Sequence, residues 1–427
     1  MTTALRTLPA AAGPGRPATA VTVALCGVEF GWGSAGKLGA IVHALRAELG
    51  DCVRFVGLGS RLGREIVRGH GVEEWHDVDL TDAPALRTLM DKRSLDAAVC
   101  VLDRAAAVAL EDAGCPVVFV DSLPFLWTKD DLDSLPLRAS AYCAQLVPGL
   151  PGPAWPVLAR VENLRWVESV VVPGPVRTGR EVRRAGEGRA VVSLGGLLTP
   201  LLDDPSDYLS LTVPAALDAL AAWGTRQVTL CGNVPEGVFD GITVPAGLDV
   251  RSGALGHQGF LTEIAEADVL LTSPGLTTLL ETSTRGVPVV CLPPQNISQI
   301  LNASFYAQAT EAPVAEWPEE VFSAQEALDA RLVTAPGVAD GDGSPGEDAA
   351  LELIYGGIAR AGRAPAPVRA ALTERIGACL AAVERQQGQW TALARLVGTG
   401  GAAQVAEIVL ATAASRGTSH RPADLPS

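Results

Sequence analysis

The stretch EADVLLTSPGLTTLLETSTRGVPVVCLPPQNISQILNA, residues 266–303, reads as one complete strand–helix–strand unit. Residues 268–272 form a short apolar run that ends at Ser273-Pro274-Gly275. A helix is expected over Thr277–Thr284, stopped by Gly286, and a second apolar run covers 287–292. The first-turn N–H groups of such a helix face the preceding turn, as an anion site requires. Glu281 stands one turn into the helix, and Gln295, Gln299 and Asn302 follow the second run.

The same rhythm extends in both directions. Upstream, RAVVSLGG runs into Gly195-Gly196, a helical pattern covers Leu209–Trp223, and RQVTLCGN is a further strand. Before these, Pro173–Gly188 (PGPVRTGREVRRAGEG) has no periodicity and reads as a linker between domains. An earlier series begins with the apolar run Val21–Cys26. Leu38, Ile41, Val42, Leu45 and Leu49 then mark one helix face, which ends at Gly50. CVRFVGLG, LDAAVCVLD, CPVVFVDS and, near residue 172, VESVVVPG read as strands. Continuous apolar strands alternating with helices imply parallel sheets covered on both faces. The expected fold is α/β, with two tandem Rossmann-like doubly wound domains over 21–175 and 189–400 that face a cleft. Open α/β sheets bind ligands at their strand carboxyl ends, so a nucleotide-derived ligand is expected there. Residues 1–20 and 415–427 read as disordered tails and 337–348 as a disordered insertion, with C-terminal helices packing back across the cleft.

Composition narrows the class. The chain has 427 residues, too many for one core of ordinary size. A net charge of −15 argues against a nucleic-acid backbone as partner. No apolar run approaches the roughly 20 residues of a membrane span, and the first twenty residues lack the apolar centre of a signal peptide, so a cytoplasmic protein is expected. Eight cysteines lie mostly in strand-like runs with no metal-ligand spacing, which reads as reduced core thiols. Only three lysines occur: Lys37, Lys92 and Lys129.

Lys37 belongs to the glycine-rich turn after the first strand, GVEFGWGSAGKLGAI, Gly27–Ile41. Gly31, Gly36 and Lys37 match G-x-x-x-x-G-K, but Leu38 replaces the hydroxyl residue that would hold Mg²⁺. Leu38 instead fits the apolar face of the helix. A dinucleotide-binding reading on Gly31, Gly33 and Gly36 lacks the acidic residue after CVRFVGLGS. Glu29 directly follows the first strand, and Asp121 ends VVFVD. Phe30, Trp32 and Trp127 place aromatic rings near the same edge, where they would stack on a flat acceptor.

Residues 266–303 resemble the donor domain of glycosyltransferases with the GT-B fold. That family writes this region roughly pG-x-x-T-x-x-E-x-x-x-x-G-x-P, then P-x-x-x-x-Q-x-x-N-A. Pro274, Gly275, Thr278, Glu281, Gly286, Pro288, Pro294, Gln299, Asn302 and Ala303 match. The resemblance implies that Ser273, Gly275, Thr277 and Thr278 hold the donor diphosphate, with Gly195 and Gly196 beside it. It implies that Glu281 binds the ribose, that Gln295 and Gln299 contact the sugar, and that His257 flanks the nucleotide. Trp32, Gly33, Ser34, Lys37 and Trp127 then fall on the acceptor and anion side. The usual base of the inverting members, a His in the first glycine turn, is absent from EFGWGSAGK, which leaves Glu29 and Asp121 as candidate catalytic bases.

FGWGSAGKL and VDSLPFLW also resemble a narrower group, the cytosylglucuronate synthases and related proteins of nucleoside-antibiotic pathways. That resemblance implies transfer of a sugar from UDP-glucuronate to cytosine. Lys37 or an Arg would pair with the sugar carboxylate. UDP-sugar acts as co-substrate, no metal is strictly required, and the partners are this donor and a small acceptor. A UDP-sugar 2-epimerase and a catalytically silent homologue are the alternatives.

Overall fold

Along β1 (Val21–Gly27) the side chains alternate between two cores. Val23 and Leu25 share a core with Ile41, Leu45, Val405 and Val409, whereas Ala24 and Cys26 share one with Leu86, Leu110 and Phe119. A strand apolar on both sides suits the middle of a parallel sheet covered by helices on each face. The computed structural model describes residues 20–419 apart from 29–32, 60–63, 65–70, 73, 80–81, 151–156, 178–187, 197–204, 234–236, 333–344 and 386–388.

After β1 come α1 (Gly33–Leu49), β2 (Val53–Gly59), β3 (Glu74–Asp77), α2 (Ala83–Arg93), β4 (Ala97–Val101), α3 (Arg104–Asp112), β5 (Val117–Asp121), β6 (Ala141–Gln145) and β7 (Leu164–Val167). The seven strands are parallel in the order β3-β2-β1-β4-β5-β6-β7. The order reverses between β1 and β4, and α1 starts at that switch point. Asp103 caps α3, its carboxylate accepting from Ala106 N–H at 2.9 Å.

The second domain holds β8 (Gly188–Gly196), α4 (Ser206–Trp223), β9 (Thr225–Asn233), β10 (Asp249–Gly253), α5 (His257–Glu266), β11 (Val269–Thr272), α6 (Leu276–Arg285), β12 (Val289–Cys291) and α7 (Ile297–Thr310). Its strands are parallel in the order β10-β9-β8-β11-β12. Gly286, at φ 68°, ends α6 in the left-handed region that favours glycine. Then follow α8 (Ala324–Leu332), α9 (Pro345–Gly362), α10 (Pro365–Arg385), α11 (Ala392–Val397) and α12 (Gly401–Ser419).

The end of the chain corrects three expectations. The last strand of the first sheet is β7, not VESVVVPG. Residues after β7 direct their backbone groups elsewhere: Glu168 N–H donates to Gln404 Oε1 at 2.8 Å, Val170 N–H to Gln145 Oε1 at 3.0 Å, and the Ser169 carbonyl accepts from Gly401 N–H at 3.2 Å. Secondly, α12 continues through residue 415, where a tail was expected, and packs on α1 and on β4 to β7. Glu168 fixes its entry by accepting from Thr399 and Gly400 N–H at 2.8 and 2.7 Å. Thirdly, Ala392–Ser415 is long and apolar enough, at mean hydropathy 1.3, to cross a membrane by composition. Here Gly398 (φ 74°) divides it into α11 and α12, whose Leu393, Val397, Val405 and Val409 are buried against protein. The expected insertion falls mostly outside the described residues, and α9 begins inside it at Pro345. All eight cysteines are free thiols, seven of them buried.

Candidate functional site

The carboxyl ends of both sheets open into one cavity of about 1150 Å³, its open mouth included. The first domain contributes Val28, Leu102, Ser122 and Leu123 from the ends of β1, β4 and β5, together with Gly33, Ser34 and Gly36 of α1. The second contributes Ser193, Gly195 and Gly196 at the end of β8, then Leu255, His257, Phe260, and the turn and first helical turns after β11. Such an interdomain cavity, apolar with a few convergent polar groups, has the usual character of a small-molecule site.

Two helix starts meet there. Gly36 of α1 lies so close to α6 that a Cβ on it would stand 3.2 Å from Thr277 Cγ2 and 3.5 Å from His257 Nε2. Thr277 Oγ1 donates to the Gly33 carbonyl at 3.4 Å, across the domain boundary. Gly275 caps α6 without a side-chain bond, so among the described residues no side chain caps the first-turn N–H groups that face the cavity. The preceding turn is held from behind. Ser273 Oγ pairs with Tyr208 Oη at 3.0 Å and accepts from Gln295 Nε2 at 2.9 Å, while Asn302 Nδ2 donates to the Pro274 carbonyl at 3.0 Å. Gly195, at φ 66°, takes a conformation that favours glycine where β8 enters the cavity.

One turn into α6, Glu281 is 2% exposed and its Oε1 lies 2.6 Å from His257 Nε2. Two other cavity groups carry an oxygen with no partner among the described residues: the Ser34 hydroxyl and Asn302 Oδ1, on side chains only 4% and 2% exposed. Buried polar atoms are nearly always paired, so both are open to a molecule in the cavity.

Of the residues proposed from sequence, Gly33, Ser34, Gly195, Gly196, His257, Ser273, Gly275, Thr277, Thr278, Glu281 and Gln299 all line the cavity. Glu29 and Trp32 lie outside the described residues. Four do not line it. Lys37 is buried beneath α1 and donates to Gln145 Oε1 at 3.0 Å, so it is not a contact for a sugar carboxylate. Gln295 turns inward to Ser273, and its N–H donates to Gln299 Oε1 at 2.9 Å. Asp121 is fully buried and accepts from Trp127 Nε1 at 2.6 Å, Tyr142 Oη at 2.7 Å and Leu123 N–H at 3.0 Å. Burial pushes this carboxyl up to about 6 against those three bonds. Its environment is that of a structural carboxylate, not of a base facing substrate. Trp127 is correspondingly committed: its indole N–H serves Asp121 and the Arg104 guanidinium stacks 4.9 Å from its ring.

The cavity also recruits Asn296, Ser298, Asn302 and Leu102, which were not assigned from sequence. Asn302 stood inside the matched motif. Leu102 holds φ 61°, a left-handed conformation that is strained for Leu, and nothing in its local sequence signals this.

A family model described as CGA synthase-related protein matches residues 76–340. No curated protein matches the chain. Among solved structures it is similar to MurG of Acinetobacter baumannii (15% identity, 92% of this chain and 99% of that one, TM-score 0.47). It is similar to the spinosyn rhamnosyltransferase SpnG (13% identity, 86% and 99% covered, TM-score 0.48). It is also similar to a putative UDP-N-acetylglucosamine 2-epimerase from Listeria monocytogenes (12% identity, 96% and 100% covered, TM-score 0.49).

Proposed function

The chain belongs to the CGA synthase-related family, and we propose that, as a glycosyltransferase of the GT-B fold, it moves a sugar from a UDP-sugar to a small acceptor with inversion at the anomeric carbon. The observation that carries this reading is the meeting of α1 and α6 around a cavity with Glu281 one turn inside it. The uncapped first turn of α6 receives the donor diphosphate and stabilises the charge that builds on it as the bond to the sugar breaks. Glu281 exchanges its contact with His257 for the ribose hydroxyls. Asn302 Oδ1 and Gln299 face the sugar.

We propose UDP-glucuronate as donor and cytosine as acceptor. The sugar carboxylate is received by the Ser34 hydroxyl and the start of α1, in place of Lys37. Leu102, Leu123 and Val28 present an apolar wall to the pyrimidine. A ring nitrogen forms the new bond to the anomeric carbon, the bond to the diphosphate oxygen breaks, UDP leaves, and the proton on that nitrogen passes to a base. With Asp121 committed to Trp127 and Tyr142, Glu29 is the proposed base.

The test is incubation with UDP-glucuronate, with and without cytosine, followed by UDP release and product mass. UDP and cytosylglucuronate are expected only when both substrates are present. Conversion of a UDP-sugar to its epimer without acceptor would replace this reading with an epimerase. Tight UDP binding without turnover on any donor–acceptor pair would replace it with a silent homologue.

A further inference from the structure

Three non-glycine residues among those described have a left-handed backbone: Ser94, Leu102 and Glu311. Ser94 and Glu311 are the C-caps of α2 and α7, a place where that conformation is common. Leu102 closes no helix. It follows the last residue of β4 and precedes Asp103, the N-cap of α3. The chain passes from strand to helix through this one residue, at φ 61°. Both neighbouring strands hold the turn: Leu102 N–H donates to the Val120 carbonyl at 3.1 Å, and the Val101 carbonyl accepts from Val28 N–H at 3.0 Å.

The second domain meets the same demand differently. Near the end of β8, Gly195 stands at φ 66° and lines the same cavity. Glycine takes this conformation without a steric penalty, whereas a Cβ crowds the neighbouring carbonyl oxygen. At almost the same angle the first domain carries a leucine. The side chain that causes the strain also lines the cavity, as Ser122 and Leu123 do, and packs against the core shared by β1 and α1. Strain of this kind persists only where the surrounding structure fixes it, and it gathers at ligand sites.

We propose that Leu102 sets acceptor specificity: its side chain, kept against the preference of its backbone, receives the flat face of the acceptor ring and keeps water out of the acceptor's place. This rests on the reading of the first domain as the acceptor side of a UDP-sugar transferase. Water is the competing acceptor. Its oxygen would bond to the anomeric carbon, the bond to the diphosphate would break, UDP would leave and the proton would pass to solvent. An apolar wall gives such a water no partner.

The experiment uses full-length wild type, Leu102→Gly, Leu102→Ala and Leu102→Met. Glycine and alanine both remove the wall, and only alanine keeps the strain. Leu102→Gly should therefore unfold at a higher Tm than Leu102→Ala, the reverse of the usual order. With UDP-glucuronate saturating, both should raise KM for cytosine about tenfold while kcat changes little, as expected for lost binding shared by ground and transition states. UDP released in excess of cytosylglucuronate should rise by about the same factor. Leu102→Met, apolar and close in volume, should restore KM to within about threefold of the wild type. Affinity for UDP alone, by calorimetry, should be equal in all four. A merely structural residue would move Tm and leave the cytosine KM and the excess UDP unchanged. That result, a parallel loss of UDP affinity, or a Tm for Leu102→Ala at or above that of Leu102→Gly would overturn the proposal alone. A wild type that binds UDP and transfers nothing to cytosine would overturn the acceptor reading and this proposal with it.

Discussion

Glu281 Oε1 and His257 Nε2 lie 2.6 Å apart, on two consecutive helices of the second domain, and both line the interdomain cavity. The pair occupies the place assigned to the donor ribose, so the carboxylate is already ordered and nearly dry before nucleotide arrives. Glu281→Ala and Glu281→Gln should weaken UDP binding by about 10- to 100-fold, the worth of hydrogen bonds to a charged group. Calorimetry with UDP reads this directly, and unchanged affinity in both variants would remove Glu281 from the site.

Ser34 separates stability from binding. Its buried hydroxyl has no partner among the described residues, so Ser34→Ala should leave Tm unchanged or slightly raised, by up to about 1 kcal/mol of stability. Transfer from UDP-glucuronate should fall about tenfold, with a smaller loss for donors lacking the carboxylate. Equal losses across donors would show that Ser34 does not read the sugar's acid group.

Asp121 predicts the reverse pattern. Asp121→Asn should cost Tm while kcat changes less than tenfold, because an amide N–H₂ must face donors from Trp127, Tyr142 and Leu123. The carboxyl titrates near 6 in the fold against an ordinary 3.8, so the folded chain retains a proton that the unfolded chain has released. This contribution to stability is full below pH 3.8 and lost as pH rises through 6, a swing of about 3 kcal/mol. Urea unfolding of wild type and variant between pH 4 and 7 should show that slope only in the wild type. A thousandfold loss of kcat at unchanged Tm would reinstate Asp121 as the base.

Gly36 limits how closely the domains approach. Gly36→Val should raise KM for the UDP-sugar several-fold, since even its Cβ would stand 3.2 Å from Thr277 Cγ2. Steady-state kinetics with a Tm control decides this: unchanged KM would show that the contact gives way freely.

Glu168→Ala should lower stability by about 1–3 kcal/mol, because two backbone N–H groups ahead of α12 lose their acceptor. Denaturant unfolding measures it, and a change within error would show that water replaces the carboxylate.

The sequence made the central strands legible because burial on both faces leaves continuous apolar runs, as in Val21–Cys26 and Val269–Thr272. It concealed β3 (EWHD) and β10 (DVRSG), which lie at sheet edges and carry polar residues. The turn after β11 was legible because its residues are local to one strand–helix unit. Lys37 was not, because the acceptor that draws it inward, Gln145, is 108 residues away. Gln295 and Gln299 looked equivalent in the motif. Only the geometry at the start of α7 separates the one that braces Ser273 from the one that faces the cavity.

The seating of α12 bears on how the protein is made. The contact between Glu168 and Gly400 spans 232 residues, and α12 supplies Val405 and Val409 to the same core as β1. A ribosome that has finished β7 has therefore not yet made one of the helices covering that sheet. The nascent first domain must wait, with an apolar face uncovered, until the whole second domain has been translated. A chain interrupted after α11 would hold every helix and strand of the second domain and still lack the helix that completes the first.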